Sequence, residues 1–337
     1  MLRNVSLAGP ERTPGRARGG FCLRPKAVAA AALIGAALSG SVAAESLAQP
    51  RETALERRAA DYVRFREDIA AIEATPFNSA ATTREAHKRL SAHESKGLSG
   101  GWVAYAALVA ADSPAFAEAL QKELGKKGGR DAFLSKLSAD PSYPRKLKGA
   151  DEAVASVLTM TAQDATRFAA LGEAFKTQAY AMQKTSWGKG KIAAGSQRLS
   201  EAASYARGRG GAAAPTLRIA TSKGVTAPVL ASADNAWSPN WGAKGAPGAN
   251  TEPNAQVIVD RALNLAARYA IGGVNDKLVS VYAKNDRADQ CLSMASLTLK
   301  QCIAATRAPY EEAFCLGEHA LNDVSDCLGW VAGAGSS

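Results

Sequence analysis

The chain is poor in the residues and motifs from which many active sites are built. It has three histidines and five cysteines in 337 residues. It contains no glycine-rich phosphate loop, no Gly-x-Ser-x-Gly elbow, no His-Glu-x-x-His and no Cys-x-x-Cys, so the usual signatures of nucleotide, serine-hydrolase, zinc-protease and thiol-redox chemistry are missing. Aromatic residues make up only 6% of the chain and alanine dominates its apolar fraction, which favours close-packed helices over sheets. The strand candidates are confined to Leu217 to Thr221 and Val225 to Val229, placed to form a small hairpin around Ser222-Lys223-Gly224. No apolar stretch reaches the ~20 residues of a spanning helix, so no permanent membrane span is expected.

Acidic residues are nearly absent from the first 44 positions, where Glu11 stands against Arg3, Arg12, Arg16, Arg18, Arg24 and Lys26. An apolar run, Ala27 to Gly40, follows this basic region and ends in Ser41-Val42-Ala43-Ala44. That order predicts a cleaved secretory signal over 1–44, with Ser46-Leu47-Ala48 as a second cleavage site. No Arg-Arg pair precedes the run, which argues against twin-arginine export, and Cys22 lies ahead of it rather than after it. The expected location is periplasmic or secreted; an Arg-rich, acid-poor leader also allows the mitochondrial intermembrane space as the alternative.

The formal net charge is +10, and the leader carries half of it. The remainder is mild, with one local basic run at Arg207-Gly208-Arg209. Nucleic acid is therefore not expected as a partner; a protein or a cell-envelope component is.

Thr53 to Glu56 is a capping-box pattern opening a helix to about residue 74. A second helix is expected over 79–96, with Gly97 to Gly101 as a break. Trp102 to Ala111 should be a buried helix, and Ser113-Pro114 starts another. The longest runs from Asp151 to about Lys184, where Val154, Leu158, Thr161, Ala165, Phe168, Gly172, Phe175, Ala179 and Met182 form one stripe at alternating steps of four and three. Its small members Ala165, Gly172 and Ala179 admit a close neighbouring helix. Residues 210–254 hold Pro215, Pro228, Pro239, Pro247 and Pro253 and read as a linker or irregular excursion. Helices resume from Ala255. The expectation is a mainly α fold, with an antiparallel helical bundle over 45–209 and a second helical domain over 255–331. A disulfide-clamped hairpin ends that domain, and 332–337 is a tail.

Four cysteines fall in that last domain. Cys291 and Cys302 lie on one helical segment, Cys315 and Cys327 on the next. At ~1.5 Å per residue each pair is about 16 to 18 Å apart along its axis, too far for a bridge within one helix. Only a few residues around Arg307 and Ala308 join the segments, so the hairpin is antiparallel. The nested pairing follows: Cys291 to Cys327 and Cys302 to Cys315. It resembles the twin-cysteine hairpins of the coiled-coil-helix family, although the spacings here are ten and eleven residues rather than nine. On the second helix Phe314, Leu321, Val324 and Leu328 form an apolar stripe that should dock on the rest of the chain.

Three further constellations carry functional expectations. His93-Glu94-Ser95 resembles the Glu-Ser motif of lytic transglycosylases, which implies Glu94 as a general acid on a peptidoglycan glycosidic oxygen. Cys315, His319 and Asp323, at i, i+4 and i+8, could hold a metal on the C-terminal face if the cysteines were reduced. Trp237-Ser238-Pro239-Asn240-Trp241 is either a docking motif or a loop pinned to its own domain. His87 and His93 read as solvated helix residues. The composite expectation is an exported helical binding protein of the cell envelope, acting without catalytic residues, cofactor or bound metal.

Overall fold

Helix α3, Ser95–Ala111, is buried on every side from Leu98 onward. In the computed structural model, which describes residues 52–209, 218–230, 235–242 and 253–334, the other long helices wrap this one. α1, Ala54–Glu73, opens with the expected capping box: Thr53 accepts from the Glu56 N–H at 3.2 Å and Glu56 from the Thr53 N–H at 2.7 Å. Its stripe of Tyr62, Phe65, Ile69 and Ile72 turns inward.

The expected second helix over 79–96 is two pieces. α2, Ala80–Leu90, stops at a turn over 91–94, and α3 then runs through Gly97, Gly100 and Gly101, which were expected to break it. A Cβ on Gly101 would lie 2.8 Å from the Tyr62 backbone nitrogen. Gly101 lets α1 and α3 touch backbone to backbone, Gly100 makes room for the Arg58 side chain and the Ala283 carbonyl, and that packing outweighs the ~1 kcal/mol that glycine costs a helix.

α4, Pro114–Leu124, and α5, Gly129–Ala139, lead to α6, Ala150–Met182, whose stripe is buried at all nine expected positions. After α7, Gly195–Gly208, the expected hairpin forms from β1, Arg218–Ser222, and β2, Val225–Val229, antiparallel with Ser222 opposite Val225. Lys223 and Gly224 make its two-residue turn, both at positive φ, 47° and 78°, as the right-handed twist of the strands favours.

α8, Pro253–Ala270, and α9, Asp276–Tyr282, precede the hairpin of α10, Asp286–Ala305, with α11, Pro309–Cys315, and α12, Asp323–Gly329. Helices from both flanks of the Pro-rich segment pack on α3, so 54–209 and 253–332 contribute to one shared core. Residues 50–337 form one compact unit. The predicted leader lies outside the described residues. Among those described, no single helix is long and apolar enough to cross a membrane.

The arm after α10 is one continuous helix with a π-helical segment, Leu316–Asn322, between α11 and α12. It lies on α6 through the small residues of the stripe: a Cβ on Gly172 would meet the Gly317 carbonyl at 2.8 Å, and Ser325 Oγ donates to the Ala165 carbonyl at 2.7 Å. The bridges are nested, Cys291–Cys327 and Cys302–Cys315, with Cα atoms 5.4 and 5.8 Å apart. The π segment explains how unequal spacings come into register. An i→i+5 turn takes in one residue more than an α turn, so the longer interval from Cys315 to Cys327 matches the shorter one from Cys291 to Cys302.

Candidate functional site

The turn at 91–94 is held from behind by Asp68, a carboxylate only 1% exposed. Arg89 donates to it at 3.1 Å, His93 Nε2 lies 2.7 Å away, and Arg209 reaches it from beyond the end of α7. Burial pushes the Asp68 carboxyl up, but the hydrogen bonds and charges of His93 and Arg209 outweigh it and hold the group below its ordinary value. One buried anion thus ties together α1, the α2–α3 turn and α7.

In front of this tie opens a cleft of about 660 Å³, within the ~300–1,000 Å³ typical of small-molecule sites. Six cationic side chains line it, Arg58, Arg64, Lys96, Arg207, Arg209 and Lys300, against two acids, Asp61 and Glu94. Leu98, Leu199 and Ala202 supply apolar wall. Arg58 is committed to Asp61 at 3.0 Å and Arg209 to Asp68. Lys96 and Lys300 have no carboxylate partner among the described residues. The α3 N-terminus opens here too: its N-cap, Glu94, makes no side-chain capping bond, so the first-turn N–H groups reinforce the positive field.

A second chamber of about 250 Å³ adjoins the first, sharing Ser91, His93, Glu94, Leu98 and Lys300. Its wall is evenly divided: Phe65, Leu90, Leu98, Leu292, Leu299, Ala320 and Val324 are apolar, and Ser91, His93, Glu94, Ser95, Ser296, Lys300 and His319 are polar, with Lys300 the one permanent cation.

The residues singled out by sequence are distributed unevenly around this site. Glu94 lines both chambers but is exposed among cations, the reverse of the apolar enclosure that keeps a general-acid carboxyl protonated. His319 lines the second chamber and its Nδ1 meets Asp323 at 2.9 Å. Cys315 is bonded to Cys302 instead of facing a metal, and no group of three or more candidate ligands converges among the described residues.

Both histidines expected at the surface are enclosed. His93 is tied to Asp68, and His87, 1% exposed, meets Glu312 at 2.9 Å beside Arg198 at 3.1 Å. Burial raises the Glu312 carboxyl, and its His87 and Arg198 partners more than reverse that, holding it below its ordinary value. None of these three residues lines either chamber; they join α2, α7 and α11.

Trp237 and Trp241, each 2% exposed, are pinned inward. The Arg66 guanidinium sits 4.5 Å from the Trp241 ring and donates to the Ser238 carbonyl at 2.9 Å, while Tyr105 donates to the Trp237 carbonyl at 2.9 Å. The loop belongs to its own core. The contributions missed by sequence are Arg58, Arg64, Lys96 and Lys300, which come from three separate helices; Arg207 and Arg209 gave a local signal, as a basic run.

No protein-family model, curated protein or solved structure matches the chain.

Proposed function

We propose that this chain is an exported helical binding protein of the cell envelope that takes an anionic partner into the cleft beside α3, acting by binding rather than by chemistry. The observation that carries the reading is the lining of that cleft, six cationic side chains to two acids around an uncapped helix start. A cavity of one sign, walled by low-dielectric packing, concentrates counter-charge. Export is supported by the basic, apolar and small-residue order of the leader and by two disulfides, which persist in oxidising compartments.

Calorimetry with inorganic pyrophosphate at low ionic strength tests the cleft. Binding that weakens as salt rises, and weakens about tenfold in Lys96→Gln with Lys300→Gln, is expected; no binding by the folded oxidised chain rejects the reading. The intact mass of natively purified protein tests export, since cleavage near Ala44 with loss of four hydrogens is expected.

A second reading has one supporting observation: Glu94 stands where both chambers meet. As a lytic acid it would cleave purified peptidoglycan, and Glu94→Gln would abolish that activity in a folded protein. No lysis by the wild type removes this reading.

A further inference from the structure

The two chambers differ in chemistry, and the disulfides frame the smaller one. Its wall draws Leu292, Ser296, Leu299 and Lys300 from α10 and His319, Ala320 and Val324 from the facing arm. The first group lies between Cys291 and Cys302, the second between Cys315 and Cys327. Each bridge therefore closes one end of the helix pair that supplies this wall. His319 and Ala320 belong to the π segment, and π turns recur where a helix is shaped for function.

From this arrangement we infer that the cleft binds a monomeric anionic amphiphile: a phosphate or carboxylate head carrying one short alkyl or acyl chain. This rests on the cationic-cleft reading and adds the tail. The head lies in the outer chamber near Lys96, Arg207 and Lys300. The chain enters the inner chamber between Phe65 and Leu98 on one side and Leu292, Leu299 and Val324 on the other. Lys300 lines both chambers and marks the junction of head and tail. The inner chamber has less than half the volume of the outer one, which suits one chain rather than two. The disulfides hold α10 and the facing arm, which together supply the Leu292, Leu299 and Val324 side, at a fixed spacing, so that side is formed before the ligand arrives.

Calorimetry on the oxidised full chain at low salt, with ethyl phosphate, octyl phosphate below its micelle concentration, octanol and phosphatidylglycerol vesicles, tests this. Affinity should rise about two- to fourfold for each methylene buried, so octyl phosphate should bind at least tenfold tighter than ethyl phosphate and far tighter than octanol. Ser296→Phe, which fills the inner chamber, should bring octyl phosphate down to the affinity of ethyl phosphate. Lys300→Gln, on an exposed position that folding does not depend on, should weaken octyl phosphate about fivefold. Reducing the bridges should erase most of the octyl preference. Equal affinity for ethyl and octyl phosphate overturns the amphiphile while leaving the cationic cleft intact. Failure of both, and of pyrophosphate, overturns the two together. Binding to vesicles without binding of monomeric octyl phosphate also overturns it, since it shows adsorption to an anionic surface.

Discussion

Asp68 is nearly inaccessible yet ionised, because three cationic or polarised partners, Arg89, His93 and Arg209, converge on it. Its folded-state value lies below the ordinary 3.8, so folding favours the charged form. That contribution is complete above the ordinary value and is lost as pH falls through the folded one. Asp68→Asn should accordingly be less stable than wild type at neutral pH, with the gap in Tm narrowing as pH drops from about 5 to about 3. A gap that stays constant across that range would mean Asp68 is held as a neutral hydrogen-bonding group. Arg66 presents the opposite sign in the same core. Burial disfavours its charge, and the Asp164 carboxylate 3.0 Å away more than offsets this. Arg66→Met strands that carboxylate and removes the anchor of the Trp237 to Trp241 loop. A loss of about 3 to 5 kcal/mol, with both tryptophans becoming accessible to a fluorescence quencher, is the expected result of urea unfolding.

Helix propensity and helix packing pull in opposite directions at the glycines, which makes them a direct test of which one shapes these elements. Gly101→Ala should gain up to about 1 kcal/mol in propensity, but its Cβ would sit 2.8 Å from the Tyr62 nitrogen and 3.1 Å from the Arg58 carbonyl. Overpacking of this kind costs about 1 to 3 kcal/mol, so the variant should be destabilised on balance. Gly208→Ala, near the end of α7 with nothing within 4 Å, should instead be stabilised by about 0.4 to 1 kcal/mol. Thermal melts of the pair with the same sign of change would refute the packing account. The comparison also explains what could be read from sequence. The α6 stripe, the Thr53 capping box and the nested cysteines follow local rules of period, cap chemistry and reach, and each was legible. The start of α3 was not, because Gly100 and Gly101 read as a break until α1 is laid against them. The π segment escaped for a related reason: it reveals itself as a mismatch between two cysteine spacings, visible only once the helices are paired. The cleft was the least legible feature. Arg209 and Asp68 are 141 positions apart, and Arg58, Lys96, Arg207 and Lys300 share no spacing that would bring them together on paper.

The bridges act on the molecule as a whole, because the hairpin they clamp is an outer layer of a core that α3 and α6 organise. Cys302–Cys315 closes a sequence separation of 13 and Cys291–Cys327 one of 36. In the chain-entropy account, closing them restricts the unfolded chain by about 2.9 and about 3.8 kcal/mol. Replacing Cys291 and Cys327 by serine should thus cost about 1 kcal/mol more than replacing Cys302 and Cys315, although the two bridges have similar geometry. The order distinguishes two views of the clamp. If it works mainly on the unfolded chain, the longer loop dominates and urea midpoints fall furthest without Cys291–Cys327. If it works mainly by holding native walls together, the bridge with more packing behind it matters less. Cys315 and Cys327 are equally buried in one core, but the Cys302–Cys315 bridge in addition borders an apolar recess with Tyr180, Tyr310 and Phe314, which leaves it less packing on that side. Loss of Cys302–Cys315 would then be the larger effect, and the reversal of order would locate the clamp's action in the folded state.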